Sequence, residues 1–204
     1  MKYLQVSFTI LIFLTAYIGD YVIFQSKYSS SQLFRAVADS TVHTTIGALS
    51  ALLFFSSVKI TNEACFYNTV ICTVVSCLID VDHFLMAKSF YLKDVAKLKQ
   101  RGILHCTTLW IVITLLLIAY SYINRKHNFY VITYMILIAF SSHHIRDGER
   151  RGLWLYPYGH TRPINKSIYL ILICLLPSLL SYIYNCTKPL YKTNVFYNTN
   201  LDIV

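Results

Sequence analysis

Five of the chain's seven histidines and four of its nine acidic residues fall in four short windows. These are Asp39-Ser-Thr-Val-His43, Asp80-Val-Asp82-His83, Arg101-Gly-Ile-Leu-His105 and Ser142-His143-His144-Ile-Arg146-Asp147. Asp39 with His43, Arg101 with His105 and His143 with Asp147 are spaced i,i+4, and Asp80 with His83 i,i+3, so on a helix each pair shares one face. Imidazole nitrogens and carboxylate oxygens, with no cysteine in any window, are the ligand chemistry of Zn²⁺, Mn²⁺ or Fe²⁺. One tetrahedral zinc takes at most about four protein ligands. The surplus here implies either two metals or carboxylates that orient imidazoles from behind. His43, Asp80, His83, His105 and His143 are the expected metal ligands, and Asp82 and Asp147 the expected catalytic carboxylates, one or the other serving as general base. Arg101, Arg146, Arg150 and Arg151 suit a phosphate or another anion beside them. His144 lies about 100° around the helix from His143 and is expected to be structural. Asp20 stands alone in an apolar stretch.

The elements that must bring these windows together are membrane helices. Of the 204 residues, 56% are hydrophobic and only 13% charged, with 18 Lys and Arg against 9 Asp and Glu. A soluble domain carries about twice that share of charge, and a disordered chain far less apolar content. Charged residues are missing from 3–19, 40–58, 64–79, 102–124, 127–145 and 167–187, each close to the ~20 residues that cross a bilayer core. The reading is an all-α polytopic bundle, one multi-pass domain over 1–204, with about six transmembrane helices near 3–24, 37–58, 64–86, 103–123, 128–147 and 166–185. The first run lacks a small-residue cleavage signature and continues past Asp20, so it is expected to be a retained span and not a signal peptide. The segment 89–101 is either a short basic helix on an anionic leaflet or a solvated loop.

With alternating helix directions, the windows at the starts of the second and fourth helices and the ends of the third and fifth all arrive at one membrane face. The loops there carry twelve Lys and Arg against six on the other side, and the positive-inside bias makes that face cytosolic. The same loop charges account for the net charge of +9, so no nucleic-acid partner is implied and membrane lipids are the expected contacts. Endoplasmic reticulum and plasma membrane are not distinguished. The six cysteines form no CxxC pair and read as small apolar residues of helix interfaces.

Leu78-Ile-Asp80-Val-Asp82-His83 resembles an L-P-D-I-D-H motif, and Arg101-Gly-Ile-Leu-His105-Cys106 resembles R-G-F-T-H-S. Ser142-His143 with Asp147, followed by Gly152 and Pro157, resembles S-H-x-x-x-D followed by G and P. These are motifs of the YdjM-like, LexA-regulated membrane-bound metal-dependent hydrolases, and Ala38 to His43 is similar to the ADSTVH stretch of the eukaryotic transmembrane protein 267 group. The resemblance implies metal-ligand or catalytic roles for His43, Asp80, Asp82, His83, His105, His143 and Asp147. Ile79 stands in place of the motif's proline, which predicts a more regular end to the third helix. Gln100 stands where a histidine is usual, and Cys106 where a serine is usual.

Three functions fit the residues. The first is a metal-dependent hydrolase of lipid or lipid-linked substrates. The second is a non-catalytic scaffold whose metal or hydrogen-bonded His/Asp cluster staples helices. The third is an ion or proton transporter, disfavoured by the apolar middles of the fourth and fifth helices.

Overall fold

A computed structural model describes residues 2–95, 97–98 and 100–188. Lys99 and Lys192, which enter the charge count, lie outside the described residues. Eight α-helices account for most of them: α1 (Lys2–Gln25), α2 (Gln32–Phe55), α3 (Asn62–Leu78), α4 (Val81–Ala87), α5 (Leu92–Val95), α6 (Thr107–Ile123), α7 (His127–Arg151) and α8 (Lys166–Thr187). Four helical stretches are long and apolar enough to cross a membrane, namely α1, α2, the run Asn62–Ala87 formed by α3 and α4, and α8. The remaining two expected spans differ in character. Helix α6 is apolar but only 17 residues long, about 26 Å at 1.5 Å per residue. Helix α7 has 25 residues, the last six of them including Arg146, Asp147, Glu149, Arg150 and Arg151.

Local chemistry sets the helix starts. The Ser31 hydroxyl accepts from the Phe34 amide, Thr61 from Ala64, and the Asn165 side chain from Ser167, so three helices begin on side-chain caps. The third predicted helix is not regular at its end. It breaks at Ile79 and Asp80, where His83 N–H reaches Asp80 C=O and Asp82 N–H reaches Ile79 C=O, i to i+3 contacts in place of i to i+4. No proline is needed for the break, because the buried Asp82 carboxylate is held from across the bundle by the Leu104 amide. The fourth predicted helix likewise starts late, at Thr107, after a single 3-10 turn at Ile103–His105. Among the described residues of the segment 89–101, α5 is the one helical turn and the others are not helical.

Helix α2 is central, packing on α1, α3, α7 and α8. Small residues let the backbones approach: Gly47 of α2 faces Ser76 of α3 so closely that a Cβ would collide with its side chain, and the Cys72 thiol reaches the Gly47 carbonyl at 3.4 Å. Helix α6 docks on α7 through Trp110 stacked on Phe140 at 3.9 Å. Two apolar clusters fill the interior, one around Phe54, Tyr130, Tyr134 and Ile138, the other around Ile12, Ile46, Tyr169 and Ile173. Ile10, Leu14, Ile18, Leu115, Leu116, Leu172 and Leu179 point outward instead, the distribution of a protein solvated by lipid. All six cysteines are free thiols. After α7, Gly152 adopts φ 71°, and a two-residue hairpin (Trp154–Leu155 with Gly159–His160) folds back so that Trp154 bridges to Cys106 beside the 3-10 turn.

Candidate metal centre

The four sequence windows meet at one end of the bundle. Helix α2 delivers Asp39 and His43, the α3–α4 break delivers Asp80, Asp82 and His83, the 3-10 turn delivers His105, and the last turns of α7 deliver His143 to Arg150. Gly102 is required here, since a Cβ at that position would overlap the Asp82 carboxylate.

At the centre, one ligand atom each from Asp80, His105, His143 and Asp147 lies within 4.8 Å of every other. Asp80 Oδ1 is 3.4 Å from His143 Nε2 and 3.6 Å from His105 Nε2, while Asp147 Oδ2 is 3.6 Å from His105 Nε2 and 3.9 Å from His143 Nε2. Both Nε2 atoms are buried with no hydrogen-bond partner. These separations are too long for direct hydrogen bonds. They fall close to the edge of a tetrahedron with 2.0–2.1 Å metal–ligand bonds, about 3.4 Å. Two carboxylates and two neutral imidazoles also balance the charge of a divalent cation. The residues present therefore fit a metal ion.

Asp82 lies behind this group. Its Oδ1 is 3.0 Å from His105 Nδ1 and its Oδ2 accepts the Leu104 amide at 2.9 Å, so His105 donates from Nδ1 and turns Nε2 to the centre. Burial alone would lower the His105 pKa, but the Asp80 and Asp82 carboxylates outweigh it and push the ring up to about 9. His144 anchors the same turn from the other side, its Nε2 2.9 Å from the Leu104 carbonyl.

Several expected roles change with geometry. Asp82, expected as a catalytic base, is only 2% exposed and has both oxygens engaged. His43, expected as a ligand, stacks flat on His143 with ring centres 3.7 Å apart, and its Nε2 sits 3.4 Å from Asp147 Oδ1. That nitrogen already accepts a hydrogen bond from Arg146 Nη1 at 2.8 Å, so a guanidinium holds the place of a cation between Asp39 and His43. Arg146, expected to bind an anionic substrate, is buried to 2% exposure and bonded to Asp39 at 2.6 Å and Asp20 at 3.0 Å. Arg101 spends Nη1 on the Gly152 carbonyl. Arg150 bridges Asp147 and Asp39, and Arg151 is exposed near the rim. His83 flanks the centre on its open side, 23% exposed, with Nε2 3.6 Å from Asp80 Oδ1.

Two further members complete the network. Asp20, which the sequence singles out as a lone acid bordering the charge-free run 3–19, there to pair with another helix or to end its span, is the α1 partner of Arg146, and the Tyr169 hydroxyl of α8 donates to the other Asp20 oxygen. Tyr169, one of 17 tyrosines, carries no signal in the sequence.

No protein-family model and no solved structure matches the chain. Among curated proteins it is 32% identical over 170 residues to transmembrane protein 267 of Xenopus laevis and to that of Mus musculus, covering 83% of this chain and 78% of each relative. It is 36% identical over 148 residues to transmembrane protein 267 of Danio rerio, covering 72% of this chain and 66% of that one. Identity at this level over most of both chains joins the apolar helices and the converging polar windows in one conclusion: the chain belongs to the transmembrane protein 267 family.

Proposed function

We propose that this integral membrane protein binds a divalent transition metal through Asp80, His105, His143 and Asp147, and uses it to hydrolyse a lipid or lipid-linked substrate at the cytosolic face. The observation that carries the reading is the pair of buried Nε2 atoms, of His105 and His143, left without hydrogen bonds opposite two carboxylates. The YdjM-like motif resemblance supports it, since Asp80, His105, His143 and Asp147 are motif positions.

A bound Zn²⁺, Mn²⁺ or Fe²⁺ would supply Lewis acidity and depress the pKa of a water ligand towards ~7. The protein supplies the rest. Asp82 fixes the tautomer and direction of His105 and is a positioning residue. Asp147 divides its oxygens between the centre and the Arg150 guanidinium, which restrains its rotation. His83, at the open side, is placed to accept a proton from a reacting group and pass it to solvent.

The test is metal content by mass spectrometry on detergent-purified protein. Wild type is expected to carry about one equivalent, lost in His143→Ala and in Asp80→Ala. A folded wild type that takes up no metal after reconstitution overturns the proposal. One observation favours a structural staple as the second reading: the four ligands come from the α3–α4 break, the 3-10 turn and α7, so a metal there cross-links three elements. His83→Ala separates the two. Hydrolysis lost in His83→Ala with metal and thermal stability retained supports catalysis, whereas hydrolysis by neither protein, with a wild type that loses thermal stability when its metal is chelated, supports the staple.

A further inference from the structure

Beside the metal centre is a cavity of about 280 Å³, lined by Arg35, Arg150, Arg151, Asp39 and His83 together with the apolar Phe24, Leu92 and Val95. His83 belongs to both sites, so whatever fills the cavity abuts the centre. The guanidiniums of Arg35 and Arg150 lie over the same Phe24 ring, at 5.6 and 5.0 Å from its centre. Three guanidiniums face one lining carboxylate, Asp39, whose oxygens are already bonded to Arg146 and Arg150. Neither Arg35 nor Arg151 forms an ion pair with a carboxylate among the described residues. Like charges gathered around a concave site are stabilised by an anion, and paired guanidiniums match phosphate oxygens in particular.

We propose that this cavity binds the phosphomonoester head of a lipid, held by Arg35 and Arg151 with Arg150 behind them. The lining leaves two positive charges, which matches the −1.5 to −2 typical of a phosphomonoester near neutral pH. The occupant is a lipid and not a soluble ester because the cavity lies where α1 ends and α2 begins, and its lining mixes the arginines with apolar side chains, Ile23 and Phe24 from α1 and Leu92 and Val95 from α5. An acyl-bearing head at the membrane surface would bury those side chains. The assignment deepens the hydrolase reading by naming its substrate class, and rests on that reading only for the hydrolytic step, not for binding.

The experiment is calorimetric titration of the full chain in neutral maltoside micelles after metal removal with EDTA, so that binding is read apart from the metal centre. The probes are dihexanoyl phosphatidic acid, dihexanoyl phosphatidylcholine and glycerol phosphate. Phosphatidic acid is expected to bind tightest. Arg35→Gln and Arg151→Gln are each expected to weaken it about tenfold, the effect of one lost charge-assisted hydrogen bond, and Arg35→Lys less. The Gln variants are expected to keep wild-type metal content after reconstitution, which shows that the loss is local. Unchanged phosphatidic acid binding in both Gln variants overturns the site. Glycerol phosphate binding as tightly as phosphatidic acid overturns the lipid assignment, and phosphatidylcholine binding equally well overturns the choice of a phosphomonoester.

Discussion

Asp82 illustrates how one side chain connects fold and chemistry. By holding His105 Nδ1 and the Leu104 amide, it fixes the 3-10 turn and the direction of the imidazole at once. Asp82→Asn keeps the size but weakens the acceptor, and is expected to lower metal affinity about 10–100-fold, measured by competition with a chromophoric chelator. His105 makes metal uptake depend on pH. In the metal-free protein its pKa is raised to about 9, so at neutral pH the ring holds a proton that a metal must displace. Affinity therefore rises with pH towards about 9, and uptake at neutral pH releases a proton, visible as buffer-dependent heat in calorimetry. Arg146 is a structural counterpart. Its replacement by Met leaves the buried Asp20 without its cation, while the partly exposed Asp39 keeps Arg150, and is expected to cost about 3–5 kcal/mol, read as a large drop in thermal unfolding temperature in detergent.

Elements position these groups by ending or breaking at the right depth. The α3–α4 break puts Asp80 and Asp82 at the bundle end. Helix α7 continues past the expected boundary to Arg151, which carries Arg146, Asp147 and Arg150 onto the face shared with α2. The α2–α3 contact depends on small residues. Gly47→Ala would drive a methyl group into Ser76 and is expected to destabilise the bundle, with Ser76→Gly restoring stability in the double variant. The check is a double-mutant cycle of thermal unfolding, in which additive losses would disprove direct contact.

Across the described residues, the polar site and the connections 26–31, 88–95, 100–106 and 152–165 occupy one end, and residues 56–61 and 124–126 the other. In a cysteine-free background and sealed membrane vesicles with the cytosolic side outward, Ser29→Cys and Tyr158→Cys are expected to react with an impermeant maleimide, and Lys59→Cys only after detergent opens the vesicles. The reverse pattern would invert the orientation. The sequence by itself determined that the chain is a helical membrane bundle, because uncharged runs of bilayer length have one low-energy solution in lipid. It also determined that Asp80, His105, His143 and Asp147 share a face, because i,i+3 and i,i+4 spacing and alternating helix direction are properties of order along the chain. Only tertiary structure decided which groups point at the centre and which stand behind it. His43 looks like a ligand and Asp82 like a catalytic residue in one dimension, yet Arg146 occupies the first and His105 the second. Buried polar atoms must each find a partner, and the partners of Arg146, namely Asp20 and Asp39, lie 126 and 107 residues away along the chain.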